Sequence, residues 1–357
     1  DNSTARWSAF ALFSIAAITD YFDGMLARKM QLISPLGRML DPIADKLLLV
    51  GIYVSLGMLQ HLPAWLVILV ASRDILIVGG TGRIGSELVS LLLDAGIHFR
   101  MLVRQQSTAL LPQSEYCEIT HGDLSGPVDL EVALRDIKQV FLLTHDQACQ
   151  AEREGRFIAL AKQAGVEKIV KSSAFAAGLQ PPVGYGINHA ESEQMLMASG
   201  LNWVALRPYM FMQNFLEISA LIKSRNLVPL PLGKAKVALI DARDVALVAL
   251  TMLTNKGHEG KCYELSGPEA ISISDCANVL SQMLGRSIRY RSPPFWLAGL
   301  MMRIQGVSAW DVNMRKQLFR MIARGDEAQV NSNVEEITGH KPRSFKTFIR
   351  EQDNNFQ

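Results

Sequence analysis

The sequence has few cysteines and almost no excess charge of either sign. Four cysteines in 357 residues are too few for a disulfide scaffold, which excludes a small secreted module held together by disulfides. Lys and Arg total 36 and Asp and Glu total 34, so the net charge of +2 gives no overall basic field for a nucleic acid. We therefore expect no nucleic-acid partner. The length allows two domains, and the 49% of hydrophobic residues can supply a large core.

Charge is scarcest in the first part of the chain. Residues 47–72 contain no Asp, Glu, Lys or Arg. A helix needs about 20 apolar residues to cross about 30 Å of hydrocarbon, and residues 7–28 and 35–60 reach that length. A third helix at residues 63–73 would span only if it continued into residues 75–78. The sequence predicts two to three transmembrane helices, and the first is not a cleaved signal because it leads directly into acidic residues.

Four acidic residues interrupt these apolar stretches. On a helix, Asp20 and Asp23 share one face, and Asp41 and Asp45 lie one turn apart on the next helix. Four carboxylates at membrane depth are stable only when cations neutralise them, and carboxylate oxygens suit hard divalent ions such as Mg²⁺ or Mn²⁺. The alternative is that these acids are solvated helix ends paired with neighbouring basic residues.

The complete pattern is D-x-x-D-G-x-x-A-R, eight residues, then G-x-x-x-D-x-x-x-D. It resembles the signature of the CDP-alcohol phosphatidyltransferases at every position, over residues 1 to about 79. The resemblance implies transfer of a phosphatidyl group from a CDP-linked lipid to an alcohol by two metal ions, with release of CMP. The family usually has about twice as many spanning helices, so a partner chain or a second copy would have to complete the helical domain. The implied metal ligands are Asp20, Asp23, Asp41 and Asp45, the last being a ligand or the catalytic base, and the implied CDP site is Gly24, Ala27, Arg28 and Gly37.

A glycine-rich turn follows a short apolar segment at residues 74–78. Glycines at positions 79, 82 and 85 allow the backbone to turn tightly and to approach a pyrophosphate at the N-terminus of the next helix. A strand before the glycines and an amphipathic helix after them is the context that a dinucleotide site requires. The predicted cofactor-binding residues of this turn are Gly79, Thr81, Gly82, Arg83, Ile84 and Gly85.

The second predicted strand, residues 98–103, ends at Arg104. An NAD site usually places an acidic residue near this strand end to bind the ribose hydroxyls, whereas arginine suits a 2′-phosphate. Arg104 therefore predicts NADP, with Arg83 as a second contact.

Strand and helix patterns then alternate as far as residue 208, which predicts a doubly wound parallel sheet. Side chains at the carboxyl ends of such strands line the ligand crevice. This places Asp123 near the adenine, and Thr144, Ser172 and Ser173 near the nicotinamide. The alternative for each of these polar residues is an ordinary loop hydrogen bond.

These segments together resemble the NmrA-like branch of the atypical short-chain dehydrogenases. The motifs are the glycine turn, Leu-Val-Arg104, Gly-Asp123-Leu, His189-Ala-Glu-Ser-Glu, Leu-Arg207-Pro-Tyr-Met-Phe-Met-Gln-Asn, Ala-Arg-Asp244-Val-Ala and Gly267-Pro-Glu. The resemblance covers about residue 74 to the C-terminus and implies that the chain binds NADP. Some members reduce quinones or similar acceptors, and others only sense the nucleotide.

The proton relay departs from the conventional short-chain pattern Tyr-x-x-x-Lys. The nearest equivalent is Tyr185-Gly-Ile-Asn-His189, and imidazole is a weaker source of fixed positive charge at neutral pH than lysine. We predict Tyr185 and His189 as candidate catalytic residues, and the alternative is that Tyr185 only lines the crevice. Several large apolar residues are expected either to line an acceptor pocket or to be ordinary core: Phe211, Met212, Phe215, Phe295, Trp296, Met301 and Met302.

The fold expected from the sequence is α/β. It has an NAD(P)-binding Rossmann sheet at residues 74–208 and a small substrate-capping α+β part at residues 209–357, preceded by transmembrane helices at residues 1–73. The expected function is a membrane-tethered NADP-dependent oxidoreductase that acts on a quinone or similar small acceptor. A phosphatidyltransferase and a non-catalytic NADP sensor remain as alternatives. The basic residues between the first two helices place that loop in the cytoplasm, and three crossings would return the Rossmann domain to the cytoplasm.

Overall fold

A computed structural model describes residues 74–107 and 109–356, which lie within one compact unit, Ser72–Gln357. The first two predicted membrane helices and every residue of the acidic motif lie outside these described residues. Residues 75–78, into which the third predicted helix would have to continue in order to span, form a strand of the sheet instead. Among the helices of the described part, none is both long enough and apolar enough to cross a membrane.

The centre of the domain is a seven-stranded sheet in which every neighbouring pair of strands is parallel. The strand order is β3-β2-β1-β4-β5-β6-β9. The chain therefore starts in the middle of the sheet, builds one side and then the other, as a doubly wound Rossmann sheet does. The strands are β1 (Ile75–Val78), β2 (Phe99–Val103), β3 (Cys117–His121), β4 (Gln139–Leu142), β5 (Lys168–Ser172), β6 (Asn202–Pro208) and β9 (Lys261–Leu265).

Helices cover both faces of the sheet. In β1, Ile75 and Ile77 pack into one hydrophobic cluster and Leu76 and Val78 into another, because successive side chains of a strand point to opposite faces. Helices α1 and α7 pack against each other on the first face, and α3 packs against α4 on the second, which also carries α2. The helices are α1 (Arg83–Asp94), α2 (Pro127–Leu134), α3 (Gln150–Gln163), α4 (Gly186–Ala198) and α7 (Ala242–Thr254).

The rest of the described chain forms a smaller α+β part. Strands β7 (Leu227–Pro229) and β11 (Arg289–Arg291) pair in parallel, and β8 (Lys236–Val237) pairs antiparallel with β10 (Ile271–Ser272). Three of its helices begin at a serine whose hydroxyl accepts a backbone N–H three residues later, which fixes their start. The helices are α5 (Asn214–Glu217), α6 (Ser219–Arg225), α8 (Ile273–Leu284), α9 (Phe295–Ile304), α10 (Ala309–Arg324), α11 (Asn333–Thr338) and α12 (Phe345–Glu351).

The division of the domain at residue 208 differs from the one expected. Strand β9 pairs with β6 at the edge of the large sheet, and α7 packs on α1. The apolar run of α7, with eight buried residues, completes the first face of the sheet. Residues 242–265 therefore join residues 74–208 as the Rossmann core, and the C-terminal part consists of residues 209–241 and 266–356.

Candidate active site

The glycine turn brings α1 close to the end of β1. Gly79 has φ +83°, and a Cβ atom there would lie 2.3 Å from the carbonyl oxygen of Leu143. A Cβ atom at Gly85 would lie 2.1 Å from the carbonyl oxygen of Gly79. Only glycine fits at these two positions, so the turn is built for close approach of backbone to backbone. The amide of Gly82 donates to the carbonyl of Gly79 at 3.0 Å and closes the turn.

The first turn of α1 suits an anion. Its N-cap, Gly82, has no side chain to accept the first amides, and the first turn contains no acidic residue. The positive end of the helix is therefore available to a phosphate. Thr81, Gly82 and Arg83 are exposed there, whereas the side chain of Ile84 is buried in the core. The turn and the helix start thus fit a pyrophosphate, with Ile84 supplying packing beneath them.

The two arginines predicted to bind a 2′-phosphate are placed differently. Arg104, at the end of β2, is exposed, and its guanidinium has no hydrogen bond or ion pair with the part of the chain described here. Arg83 donates to Oδ1 of Asn214 at 2.9 Å and forms an ion pair with Glu217, so it joins the glycine turn to α5. Arg104 is therefore free to meet a phosphate, and Arg83 is engaged within the protein.

Asp123 follows β3 at the same edge of the sheet. Its Oδ1 accepts hydrogen bonds from the hydroxyl of Ser125 and from the backbone amide of Ser125 at 2.8 Å. These bonds to Ser125, together with nearby Arg153 and Arg104, lower the pKa of Asp123 below its usual value. The carboxylate is thus an ionised acceptor, which a ribose hydroxyl or an adenine amino group can use.

Glu154 on α3 is the centre of a buried ionic network beneath the carboxyl ends of β4 and β5. Lys171 Nζ lies 2.5 Å from Glu154 Oε2, and both side chains have no exposed surface. The hydroxyls of Thr144 and Ser192 also donate to this carboxylate. Burial opposes ionisation of Glu154, but the charge of Lys171, then of His189, outweighs burial and lowers the pKa of Glu154 to about 2. A lysine and a glutamate therefore stay paired out of water.

His189 connects this network to the crevice. Its Nδ1 lies 3.3 Å from Lys171 Nζ and 3.4 Å from Nε2 of Gln150. Its Nε2 lies 3.2 Å from Oδ1 of Asp146, a partly exposed carboxylate in the loop after β4. His189 is thus held between a buried cation and a carboxylate that reaches solvent.

Tyr185 does not share these contacts, although it is one helical turn before His189. Its hydroxyl donates to Oδ1 of Asp311 at 3.4 Å, and its ring meets the ring of Trp310 at 5.7 Å between centroids. Burial, and to a lesser degree Asp311, raises the pKa of Tyr185 above its ordinary value despite nearby Arg315. The structure therefore turns Tyr185 towards α10 and His189 towards β5, and it does not bring the two together as a relay.

Ser172, at the end of β5, is buried, and the carbonyl of this residue faces Lys171 Nζ at 3.5 Å. Its neighbour Ser173 donates to Oε1 of Glu193 at 2.5 Å. Arg207 donates to both oxygens of the same carboxylate, at 3.1 and 2.5 Å. These contacts join the ends of β5 and β6 to α4 and make the crevice floor rigid.

The expected apolar pocket is not assembled. Met212 and Phe215 are fully buried in the hydrophobic core, and their neighbour Phe211 forms a bridge with Ile240. Trp296 and Met301 lie on the surface of α9, 66% and 43% exposed. Met212 and Phe215 are therefore ordinary core residues. Trp296 and Met301 do not line a pocket in the described part of the chain.

Sequence reasoning missed most of the buried network. Lys171 interrupts an apolar strand, Ile169-Val170-Lys171, and Glu154 lies one turn before Phe157 and Ile158 on the buried face of α3. A charged residue within each apolar pattern was the available signal. Within the described residues no group of acidic, histidine or cysteine side chains could hold a metal ion, and the predicted magnesium ligands lie outside them.

Residues 71–351 match the NmrA-like family, and residues 2–87 match part of the CDP-alcohol phosphatidyltransferase family. An NAD(P)H azoreductase of Xenophilus azovorans is 35% identical over 276 residues, which are 77% of this chain and 96% of that protein. A (4-alkanoyl-5-oxo-2,5-dihydrofuran-3-yl)methyl phosphate reductase of Streptomyces griseus is 34% identical over 79% of this chain and 99% of its own length.

Solved structures share the fold. The NADPH complex of an NADPH-dependent quinone oxidoreductase from Escherichia coli superposes with a TM-score of 0.71 at 23% identity, over 78% of this chain and all of the other. A triphenylmethane reductase of Citrobacter sp., solved with NADP(H), gives 0.67 at 19% identity over 78% of this chain and 99% of the other. At this identity the likeness concerns the fold alone. From the match over most of its length, the chain belongs to the NmrA-like family.

Proposed function

We propose that this chain is an NADPH-dependent oxidoreductase that transfers hydride to a quinone or a similarly flat, conjugated acceptor. The observation that carries the proposal is the combination of a turn in which Gly79 and Gly85 leave no room for a side chain with an exposed arginine, Arg104, at the end of β2. The reductases among its relatives support the reaction class, and the azoreductase supports the kind of acceptor.

The cofactor is held by the edge of the sheet already described. The glycine turn and the first amides of α1 bind the pyrophosphate, Arg104 binds the 2′-phosphate, and Asp123 accepts from the adenosine portion. When bound there, the nicotinamide supplies the hydride. The choice of NADPH over NADH rests on Arg104, because Arg83 is committed to Asn214 and Glu217.

The acceptor side provides orientation, and the hydroquinone anion left by hydride transfer takes its proton from water on release. Reduction of a quinone needs chiefly a fixed geometry and exclusion of water, so a strong general acid is not required. Burial raises the pKa of Tyr185 above its ordinary value, and its hydroxyl donates its single proton to Asp311. Lys171, Glu154 and His189 keep the ends of β4 and β5 in place and hold Asp146 towards solvent.

The test is NADPH and NADH oxidation by the full chain in detergent, with a panel of small quinones and Arg104→Glu as the variant. We expect turnover with NADPH, weaker turnover with NADH, and loss of the NADPH preference in Arg104→Glu. NADPH binding without turnover above a no-enzyme control would instead favour the sensor, and absence of NADPH binding would refute the cofactor assignment.

We further propose that the apolar stretches of residues 1–73 tether the protein to a membrane with the Rossmann domain in the cytoplasm, where NADPH is available. The lengths of residues 7–28 and 35–60 and the basic loop between them support two crossings with that loop in the cytoplasm. Two crossings alone would leave the Rossmann domain outside, so the proposed orientation requires residues 61–73 to return the chain to the cytoplasmic side. Protease treatment of intact spheroplasts should leave the C-terminus uncut, and cleavage from outside would contradict the orientation.

The phosphatidyltransferase is a second candidate because the whole acidic signature is present and residues 2–87 match that family. In this case Asp20, Asp23, Asp41 and Asp45 would bind Mg²⁺ or Mn²⁺ and a partner chain or second copy would complete the helical domain. Magnesium-dependent release of CMP that disappears in Asp45→Asn would establish it. No CMP release from the full chain would leave the N-terminal segment as a tether.

A further inference from the structure

Helix α9 presents an apolar face to solvent. Trp296, Leu300 and Ile304 are four residues apart, so they lie along one side of the helix, and they are 66%, 50% and 77% exposed. Met301 beside them is 43% exposed. These four residues are a large share of the ten strongly exposed large hydrophobic residues in the described part of the chain, and the other six are spread over four other segments. We call these four side chains the α9 face.

Packing fixes this orientation. On the opposite side of α9, Ala298 and Gly299 are buried against α10. A Cβ atom at Gly299 would lie 3.2 Å from Cδ of Lys316 and 3.4 Å from Val312. The two helices are therefore in close contact through small residues, and the α9 face is turned outward by a tight helix pair.

The surroundings of the α9 face are strongly basic. Residues 286–324 contain eight Lys or Arg and one acidic residue, Asp311, whereas the whole chain has a net charge of only +2. Arg303 lies on α9 itself, and the guanidinium of Arg320 lies 5.6 Å from the ring centroid of Phe295 at the start of α9. Arg289 and Arg291 are exposed on β11, the strand that precedes α9 in the chain, and Arg324 is exposed but paired with Asp326.

We propose that the α9 face docks onto an anionic lipid surface. An interfacial helix inserts tryptophan and aliphatic side chains at the level of the lipid headgroups, and flanking Arg and Lys side chains bind the lipid phosphates. A second copy fits less well, because a twofold contact through this face would bring its basic residues against the same basic residues. An anionic lipid surface would thus bind both the basic side chains of the region and its apolar face.

The experiment places the full chain in nanodiscs made from lipids with brominated acyl chains, either phosphatidylcholine alone or phosphatidylcholine with phosphatidylglycerol. Bromine quenches tryptophan emission on contact. The emission of wild type minus that of Trp296→Phe isolates Trp296 from the other four tryptophans of the chain. Trp203→Phe on β6 is the matched control, since Trp203 is outside the α9 face.

We expect bromine to quench Trp296 in the anionic discs and to leave it largely unquenched in the neutral ones, with Trp203→Phe behaving as wild type. Arg303→Gln and Arg320→Gln should each reduce the docked-to-undocked ratio about fivefold, since a basic residue near an anionic surface contributes that much. Salt should also weaken docking, because the Debye length falls from about 10 Å at 0.1 M to about 3 Å at 1 M.

Three results would overturn the proposal. Unquenched Trp296 in anionic discs would show that the α9 face does not reach lipid. Equal quenching in both kinds of disc would show that anionic headgroups are not what it binds. Emission of Trp296 that is already shifted to shorter wavelength in lipid-free detergent would assign the face to protein, to a second copy if the shift depends on concentration and to residues 1–73 if it does not.

Discussion

Glu154 in the Rossmann core and Glu327 in the C-terminal part are both buried glutamates, and they differ in their partners. Glu154 is paired with Lys171 and bonded by two hydroxyls, which lowers its pKa to about 2. Glu327 accepts one bond, from the backbone amide of Met210 at 2.8 Å, and burial raises its pKa to about 8. The same residue type is therefore ionised in one part and protonated at neutral pH in the other.

The difference lies in the partners that each buried glutamate finds. Glu154 is buried as one member of an ion pair that joins α3 to β5, with Ser192 of α4 also bonded to it, whereas Glu327 is buried as a neutral hydrogen-bonding group. The contribution of Glu154 is fully present above its unfolded pKa of 4.5 and is lost as the pH falls through about 2. Glu327 acts in the opposite sense, since the folded state binds a proton between pH 4.5 and about 8 that the unfolded state has lost.

Breaking the pair in the Rossmann core should have the largest effect. Glu154→Gln leaves Lys171 as a buried charge without its partner, and we expect the free energy of unfolding to fall by about 3–5 kcal/mol. Glu152→Gln on the same helix is the control, because Glu152 is exposed and its change should be within about 0.5 kcal/mol. Denaturant unfolding followed by near-UV circular dichroism measures both, and equal stability of the two variants would contradict the role of the pair.

Arg104→Glu should change the cofactor edge of the core and leave the buried pair intact. Loss of a charge-assisted bond to the 2′-phosphate costs about 1.5–3 kcal/mol, so kcat/KM for NADPH should fall roughly 10- to 150-fold. The value of kcat/KM for NADH should change little, because NADH has no 2′-phosphate. Arg83→Gln is the comparison and should alter the ratio of the two cofactors less, because its guanidinium is bonded to α5. If Arg83→Gln changed the ratio of kcat/KM for NADPH and NADH more than Arg104→Glu did, Arg83 and not Arg104 would be the residue that binds the 2′-phosphate.

Glu327→Gln tests the other half of the comparison. Glutamine keeps an acceptor for the amide of Met210 but cannot ionise. In the wild type, the free energy of unfolding should fall by about 1.4 kcal/mol per pH unit between pH 6 and 7 because of Glu327. We expect this fall to be absent in Glu327→Gln. Thermal unfolding at pH 5, 6, 7 and 8 measures this slope. The exposed Glu335→Gln is the control and should keep the wild-type slope. A wild-type slope in Glu327→Gln would mean that Glu327 is already ionised.

Tyr185→Phe should have the smallest effect. Tyr185 joins the core to α10 through Asp311, and its single hydroxyl proton is donated to that carboxylate. We expect kcat with a quinone to fall less than tenfold, whereas loss of a true general acid would cost about 10²- to 10⁴-fold. Steady-state kinetics against pH distinguishes the two, and a large loss with a shifted pH profile would make Tyr185 the proton donor.

The sequence predicted the parts of the domain that depend on local patterns. The spacing of Gly79 and Gly85 predicted the turn, because the backbone needs glycine at these positions between a strand and a helix. Arg104 was predicted in the same way, because it is the residue directly after β2. The alternation of strands and helices was enough for a doubly wound parallel sheet. These features depend on residues that are close together in the sequence, so they can be predicted from a single sequence.

The rest depends on long-range packing. Glu154 and Lys171 meet although they are 17 residues apart on different elements, and Arg83 meets Glu217 across 134 residues. Strand β9 pairs with β6 at the edge of the large sheet although 52 residues separate the end of β6 from the start of β9. Each of these choices depends on which surfaces come together in the folded chain, and no spacing in the sequence encodes that. The exposure of Trp296 is a further feature that the sequence does not predict, since the apolar residues around it form a pattern that is typical of buried helices.

The central claim, hydride transfer from NADPH bound at the glycine turn, is tested most directly by a single turnover. The full chain premixed with one equivalent of NADPH is mixed without oxygen with a small quinone, and nicotinamide absorbance is followed with NADPH and with its 4-deuterated form. We predict oxidation of the bound NADPH faster than in a no-enzyme control and slowed by deuterium, with Gly85→Ala unable to hold the cofactor. Bound NADPH that persists, or that is oxidised only at the control rate with every quinone, would contradict the account.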